Sequence, residues 1–377
     1  MEKADIAIIG AGIVGLAVSE AVSEKAGTIY VLEKNHTFGQ EASSRNSEVL
    51  HAGIYYPPGS LKARTCLEGS RLIFEICSAN NIAHKRVGKL IVADGPQELE
   101  AIEALLSKGR NNGVAGLEIF DQRQLTRIEP KISARAALYS PNTGIVDSHN
   151  LMRYFFKRAQ AKGAEFSFNT EVYRIEPGKQ GYTLTVRDAD GNDFSFLASI
   201  VINCAGLNSD VVAALCGIDI HRYGYQLNFC KGQYFRLNAK KSGLINRLIY
   251  PLPDARGVSL GIHATPDLGG GLRLGPDARY IQKSAADYEV DQSQKAYFAQ
   301  MCNRFLPFIK AEDLSADTAG IRAKLQGPKG DFRDFIIADE KDKGLPGLIN
   351  LIGIDSPGLT ASAAIAMRVR DLLKNLN

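Results

Sequence analysis

Residues 4–34 read ADIAIIGAGIVGLAVSEAVSEKAGTIYVLEK, and their order decides the fold. Ile6, Ala7, Ile8 and Ile9 form the short apolar run of a buried parallel strand. Gly10, Gly12 and Gly15 follow at the spacing G-x-G-x-x-G. A helical pattern runs through Leu16, Val18, Ala21 and Val22, then a second apolar run from Thr28 to Leu32 closes on Glu33 and Lys34. In such a unit the first glycine makes the tight turn and the second lets backbone approach a pyrophosphate. The third lets the helix lie close on the sheet with its first N–H groups facing the phosphates. A carboxylate at 33 stands where a ribose diol donates hydrogen bonds, and it disfavours a 2′-phosphate. The stretch predicts dinucleotide binding.

The rest of the chain gives that unit room and few rivals. At 377 residues it exceeds the usual single-domain size, so two domains are expected. Hydrophobic residues at 45% and charged residues at 23% describe an ordinary globular protein. The net charge of +4 is spread out, with no basic stripe interleaved with aromatics, so nucleic acid is not an expected partner. No apolar stretch approaches the ~18 residues of a membrane-spanning helix. The opening strand begins at once, which argues against a signal peptide. Cys66, Cys77, Cys204, Cys216, Cys230 and Cys302 are dispersed and the six histidines form no ligand cluster, so neither disulfides nor a metal are expected. Together these features predict a cytoplasmic protein.

Along the chain, 35–60 is a long loop of mixed composition holding Glu41, Arg45, His51, Tyr55 and Tyr56, the kind that carries function. Helical patterns cover 61–82, 98–112, 121–129, 148–162 (opening on a Ser148 cap), 285–304, 310–317 and 361–376. Strand patterns cover 88–93, then 164–168, 170–175, 182–187 and 194–197 as a meander, then 199–206 ending in Asn-Cys-Ala-Gly, and 348–354. Residues 222–280 are β-rich, with turns at 251–254 and 266–271. The α/β signatures fall at 1–85, 145–225 and 318–377, which predicts a discontinuous nucleotide-binding domain; 86–144 and 226–317 make the second, threaded domain.

The N-terminal G-x-G-x-x-G, the acid after the second strand, Val201-Ile-Asn-Cys-Ala-Gly206 and the glycine-rich C-terminal strand–helix together resemble the FAD-dependent D-amino-acid oxidase superfamily. The likeness covers essentially the whole chain. It implies an α/β protein, α+β overall: a Rossmann-like FAD domain of the glutathione-reductase type with an inserted mixed-sheet substrate domain. Within that superfamily RNSEVLHAGIYYPPGSLKA (45–63), KGQY (231–234), YPLP (250–253), LGIH (260–263), LGP (274–276), GIRAKL (320–325) and DSPGLT (355–360) resemble the L-2-hydroxyglutarate dehydrogenase and oxidase group. Ala323 departs from that pattern, which often has proline there.

The resemblance implies FAD as cofactor, with Gly10, Gly12, Gly15, Glu33 and Lys34 at its adenosine half. Ser44, Arg45, Asn46, Ser47 and His51 would line the diphosphate and the isoalloxazine. Val172 would serve the adenine, and Ala205 and Gly206 the pyrophosphate. Gly353, Ser356, Gly358, Leu359 and Thr360 would close over the flavin's pyrimidine edge. It implies oxidation of a small 2-hydroxy acid, L-2-hydroxyglutarate to 2-oxoglutarate, by hydride transfer to flavin N5. Glycerol-3-phosphate dehydrogenase and amino-acid oxidase are the rivals within the fold, and a non-catalytic FAD protein the rival outside it. A diacid needs cations and hydroxyls, so Arg322, with Lys324, Lys231 and Tyr250, forms the expected substrate set. The hydroxyl proton needs a base of near-neutral pKa: His263 first, His51 second, the latter also a candidate for holding the flavin ring, by contact or by a covalent bond. His36, His84, His149 and His221 are read as structural. Oxygen, a quinone or an electron-transfer protein would accept the electrons, and a quinone would bring peripheral contact with the inner face of a membrane.

Overall fold

The computed structural model describes residues 2–24, 27–253 and 260–374. The opening strand, Glu2–Ile9, lies inside an eight-stranded sheet. It pairs in parallel with Ile29–Leu32 on one side and Asp193–Asn203 on the other. Alternation along it sends Ile6 and Ile8 into one core and Ala7 and Ile9 into another, so every position must be apolar. Ala164–Ser167 extends the sheet in parallel beyond Ile29–Leu32, and Leu348–Ile352 runs parallel to Asp193–Asn203. The helices Ile13–Val22, Leu61–Ala79, Ser148–Ala161 and Gly358–Lys374 supply Leu16, Ile73, Leu151 and Ile365 to the core on one face. Two of them touch at Gly69, where a Cβ would come 2.3 Å from the Thr360 carbonyl oxygen.

A second sheet has nine strands. Its longest ladder joins Asn228–Leu237 to Leu314–Lys324, antiparallel, with Cys230 opposite Arg322 and Asn228 opposite Lys324. Lys89–Ala93 pairs in parallel with Leu248–Tyr250 and antiparallel with Ala136–Ser140. Phe235, Phe298 and Leu306 fill the core beneath. A small third sheet ties Val49–Leu50 and His84–Lys85 to Gly144–Val146. Among the described residues no helix is long and apolar enough to cross a membrane.

Several sequence expectations shift. The strands expected at 194–197 and 199–206 are one continuous strand, Asp193–Asn203. Ala164–Ser167 leaves the expected meander, because it pairs with Ile29–Leu32 and not with its chain neighbours. The helix from 148 is capped by Asp147, whose carboxylate accepts from Asn150 N at 2.9 Å, and not by Ser148. The helix expected at 310–317 shrinks to a 3₁₀ turn at Ala311–Asp313, and the chain continues as strand Leu314–Lys324. That strand belongs to the second sheet, so 318–324 lies there and not with the nucleotide-binding segments. His263 immediately precedes the strand Ala264–Pro266. Residues 254–259 of the expected β-rich stretch, Asp254 of its first turn among them, and the last residues of the expected C-terminal helix lie outside the described residues.

Candidate active site

The glycine turn is built as its spacing requires. Gly10 has φ +101°, and a Cβ there would meet the Cys204 carbonyl oxygen at 2.6 Å. A Cβ on Gly15 would lie 2.0 Å from the Gly10 oxygen, so the helix rests directly on the turn. Gly12 precedes that helix with no side-chain cap, and Ile13 N donates to Ser43 Oγ at 2.9 Å. Glu33 is buried. One of its oxygens accepts from Ala11 N at 2.8 Å and the other from Asn35 N at 2.9 Å, which pins the carboxylate beside the turn. Thr170 N donates to the Glu33 carbonyl oxygen at 2.9 Å, bringing the chain that leads into Val172 alongside.

From Gly12 a cavity of about 690 Å³ runs to Thr360. Its wall holds Arg45, Asn46, Ser47, His51, Gly206, Ser356, Gly358, Leu359 and Thr360 together with Tyr250, His263, Arg322 and Lys324. The starts of two helices, Ile13–Val22 and Gly358–Lys374, therefore face one space, and each brings a partial positive charge to it. His51 N donates to Thr360 Oγ1 at 3.0 Å, and that hydroxyl donates to the Val49 oxygen at 3.2 Å, tying the loop to the last helix. Ser356 Oγ is 3.4 Å from His51 Nε2. Arg45 lies over the Tyr288 ring, 3.9 Å from its centroid, with Nε buried and unpartnered among the described residues. Its carbonyl oxygen is so close to Gly320 that a Cβ there would stand 2.0 Å away.

Other expected residues sit off the wall. Lys34 pairs with Glu41 at 2.8 Å, Ser44 donates to the Gly39 oxygen, and Gly353 (φ +69°) is packed on Leu325. Ala205 N donates to Asn203 Oδ1 at 3.2 Å. Lys231 does not join Arg322. Antiparallel pairing places it opposite Ile321, on the other face of the ladder, and its ammonium pairs with Asp287.

The cavity wall is cationic. Arg45, Lys62, Lys108, Arg322 and Lys324 line the cavity, and Asp355 is the one carboxylate among the described wall residues. Asp355 is shared: Lys62 reaches it at 2.7 Å and Lys324 at 3.7 Å. Burial lowers the Lys324 pKa against the pull of Asp355. Arg322 donates to the Asp277 carbonyl oxygen at 2.6 Å. His263 Nδ1 is 2.8 Å from the Gly261 oxygen, so Nδ1 carries the proton and Nε2 keeps its lone pair, buried and unpartnered among the described residues. Burial, with Lys89 and Arg322 adding to it against the Gly261 hydrogen bond, brings the His263 pKa down to about 3. Burial, then Lys89 and His263, hold His51 well below its usual value. Both imidazoles are neutral at pH 7, but weaker bases than the near-neutral expectation, because burial penalises the charged form and the nearby cations add to it.

Sequence reasoning missed Lys89, Lys62 and Asp355. The last two sit inside the quoted loops; Lys89 heads the apolar run GKLIVA, and a lysine in a run buried on both faces was the available signal.

FAD fits this arrangement. The turn that no side chain can occupy, the pinned Glu33, the two helix starts and the unpartnered Arg45 Nε supply a cradle for a dinucleotide diphosphate. L-2-hydroxyglutarate dehydrogenase, mitochondrial, from Arabidopsis thaliana is 37% identical, covering 98% of this chain and 83% of the relative. The Homo sapiens enzyme of the same name is 32% identical, covering 97% and 88%. L-alpha-glycerophosphate oxidase from Mycoplasma pneumoniae, solved dithionite-reduced with FAD bound, superposes with TM-score 0.87 at 25% identity, covering 99% of this chain and 95% of that one. The cytoplasmic expectation does not stand, since these dehydrogenases are named mitochondrial. Reduced thiols report a redox condition, not an address. The family model for FAD dependent oxidoreductases matches residues 5–372, nearly end to end, and the chain belongs to that family, DAO.

Proposed function

We propose that this protein oxidises L-2-hydroxyglutarate to 2-oxoglutarate. The carrying observation is the cationic cavity wall, in which the one carboxylate among the described residues is already shared, joined to an imidazole whose lone pair has no partner among them. Such a wall is incomplete until anions enter: two charges from a dinucleotide diphosphate and two from a diacid. The names of the relatives point to the same substrate.

FAD, when bound, supplies the hydride acceptor. Arg322 receives the carboxylate beside the hydroxyl carbon in a planar fork, which fixes which hydrogen faces the acceptor. His263 Nε2 takes the hydroxyl proton as the C2–H bond breaks, its tautomer held by the Gly261 oxygen. The incoming carboxylates offset Lys89 and Arg322 and raise the His263 pKa when a stronger base is needed. His51, anchored by Thr360, holds its place at the wall as a second neutral imidazole. Oxygen, a quinone or an electron-transfer protein completes the cycle by accepting the electrons.

Anaerobic titration of the yellow protein with L- and D-2-hydroxyglutarate, L-lactate and glycerol 3-phosphate tests the reading. Flavin bleaching by L-2-hydroxyglutarate at the lowest concentration is the expected result. Bleaching by glycerol 3-phosphate alone would transfer the chain to the activity named for its Mycoplasma structural neighbour.

A further inference from the structure

We infer that Tyr288 is a positioning residue for the cofactor: its ring holds the Arg45 guanidinium in place to receive the diphosphate of FAD. The assignment needs FAD and not a particular substrate.

Arg45 belongs to the cavity wall, as do Gly12, Ile13 and Ser43. A turn puts it there. Ser44 N donates to the Glu41 oxygen at 3.1 Å and Arg45 N to the Ala42 oxygen at 3.4 Å, while Ser43 Oγ accepts from Ile13 N at 2.9 Å. The Arg45 side chain therefore branches from the segment fastened to the start of the helix Ile13–Val22, where the helix dipole favours a diphosphate. Among the described residues the guanidinium has no ion-pair partner, and its Nε is buried without a hydrogen bond. Glu41, in the same turn, is engaged by Lys34 at 2.8 Å.

What meets the guanidinium is the Tyr288 ring, with its centroid 3.9 Å from Cζ. A ring face attracts a cation without neutralising it, and it covers the plane of the group rather than its N–H edge. A carboxylate in the same place would occupy that edge and compete with a phosphate. The contact thus fixes the orientation of the group and leaves its charge and donors for an anion.

Tyr288 is itself anchored from both domains. Asp287, beside it in the chain, pairs with Lys231 of the strand Asn228–Leu237, and Asp291 N donates to Gln233 Oε1 of that strand at 2.6 Å. On the other side Lys283 reaches Asp210 at 2.6 Å. The ring packs against the core to which Leu207 and Ile321 belong. Lys231, off the cavity wall, serves here as one anchor of the segment that carries the ring.

The test titrates FAD into stripped protein for Tyr288→Leu, Tyr288→Phe, Arg45→Ala and the double variant Arg45→Ala with Tyr288→Leu, following flavin fluorescence. Adenosine diphosphate, which has the diphosphate and no flavin, is the competing probe. Leucine keeps an apolar side chain on the core and loses the ring face; phenylalanine keeps the face. Tyr288→Leu is expected to weaken FAD and adenosine diphosphate alike, roughly 5- to 30-fold, with Tyr288→Phe within about twofold of wild type. Arg45→Ala weakens FAD roughly 10- to 100-fold, and adding Tyr288→Leu to it costs nothing further. An equal loss from Tyr288→Leu in both backgrounds would make the ring a packing residue and overturn the assignment. Phenylalanine binding as weakly as leucine would do the same. So would weaker FAD with adenosine diphosphate unaffected, which would turn Arg45 toward the flavin ring. Failure of the hydroxy-acid reading would leave all of these constants untouched.

Discussion

The imidazole of His263 lies flat on the ring of Tyr250, centroids 3.7 Å apart and planes 17° from parallel. Stacking fixes the plane of the imidazole and the Gly261 oxygen fixes its tautomer, so the direction of the Nε2 lone pair is set before substrate arrives. Replacing His263 with Gln keeps the size and removes the base. The expected loss in kcat is about 10²–10⁴-fold, with FAD content unchanged by absorbance. An enzyme acting on amines would keep most of its rate, because an amine already carries its own lone pair.

The two pH profiles should separate. The base works only when deprotonated, so activity falls as pH drops through its pKa. In the free protein that pKa is about 3, and bound carboxylates raise it. The acid limb of kcat is therefore expected at higher pH than the acid limb of kcat/KM. Steady-state rates between pH 4 and 9 decide this: an acid limb in kcat with none in kcat/KM is the expected result, and a kcat that also stays flat to pH 4 would mean that substrate charge does not reach His263.

Arg322→Lys keeps the charge and loses the fork. KM should rise roughly 10- to 100-fold while kcat falls less, since one point charge holds the carboxylate without fixing its plane. Initial rates across substrate concentration separate the two.

At the cofactor end, Glu33→Ala removes the pinned acceptor beside Ala11 N and should weaken FAD roughly 10- to 100-fold, read by titrating flavin into stripped protein. Gly15→Ala is harsher. Its methyl collides with the Gly10 oxygen, so both flavin retention and melting temperature should fall.

Lys89 also carries a stability signature. Its pKa falls from 10.5 unfolded to about 7 folded. Between those values the unfolded chain holds a proton that the folded one lacks, so stability rises with pH across that window. Below pH 7 the charged form is buried and the cost is full. Lys89→Met should therefore be more stable at pH 6, by on the order of 3 kcal/mol, and the difference should shrink toward pH 10. Denaturant melts of flavin-free protein at both pH values check this.

The local parts of this site were legible and the assembled parts were not. The turn from Ile6 to Glu33 could be read because strand, glycines and acid lie within one stretch, and each has a local reason for its identity. The loop 45–63 and the segment 355–360 were legible as motifs, though 309 positions separate His51 from its partner Thr360. Residues 310–317 misled, because Lys, Ala, Glu and Leu favour helix in isolation. Pairing of Leu314–Lys324 with Asn228–Leu237 overrides that preference, and it is invisible in a local window. Lys231 was misplaced by one residue of strand alternation, since its neighbours Cys230 and Gly232 face Arg322 and Gly320 across the ladder. Lys89 escaped because its significance is the lack of a counter-charge in three dimensions.

The contact between the Arg45 carbonyl and Gly320 makes the two ends of the enzyme mechanically one piece. The loop that carries Arg45 rests on the strand that bears Arg322 with no side chain to act as a spacer. Seating the coenzyme and aiming the guanidinium are thus a single adjustment. A lineage seeking a new fuel must leave that spacer-free joint alone, and with it the Tyr250 ring on which His263 rests.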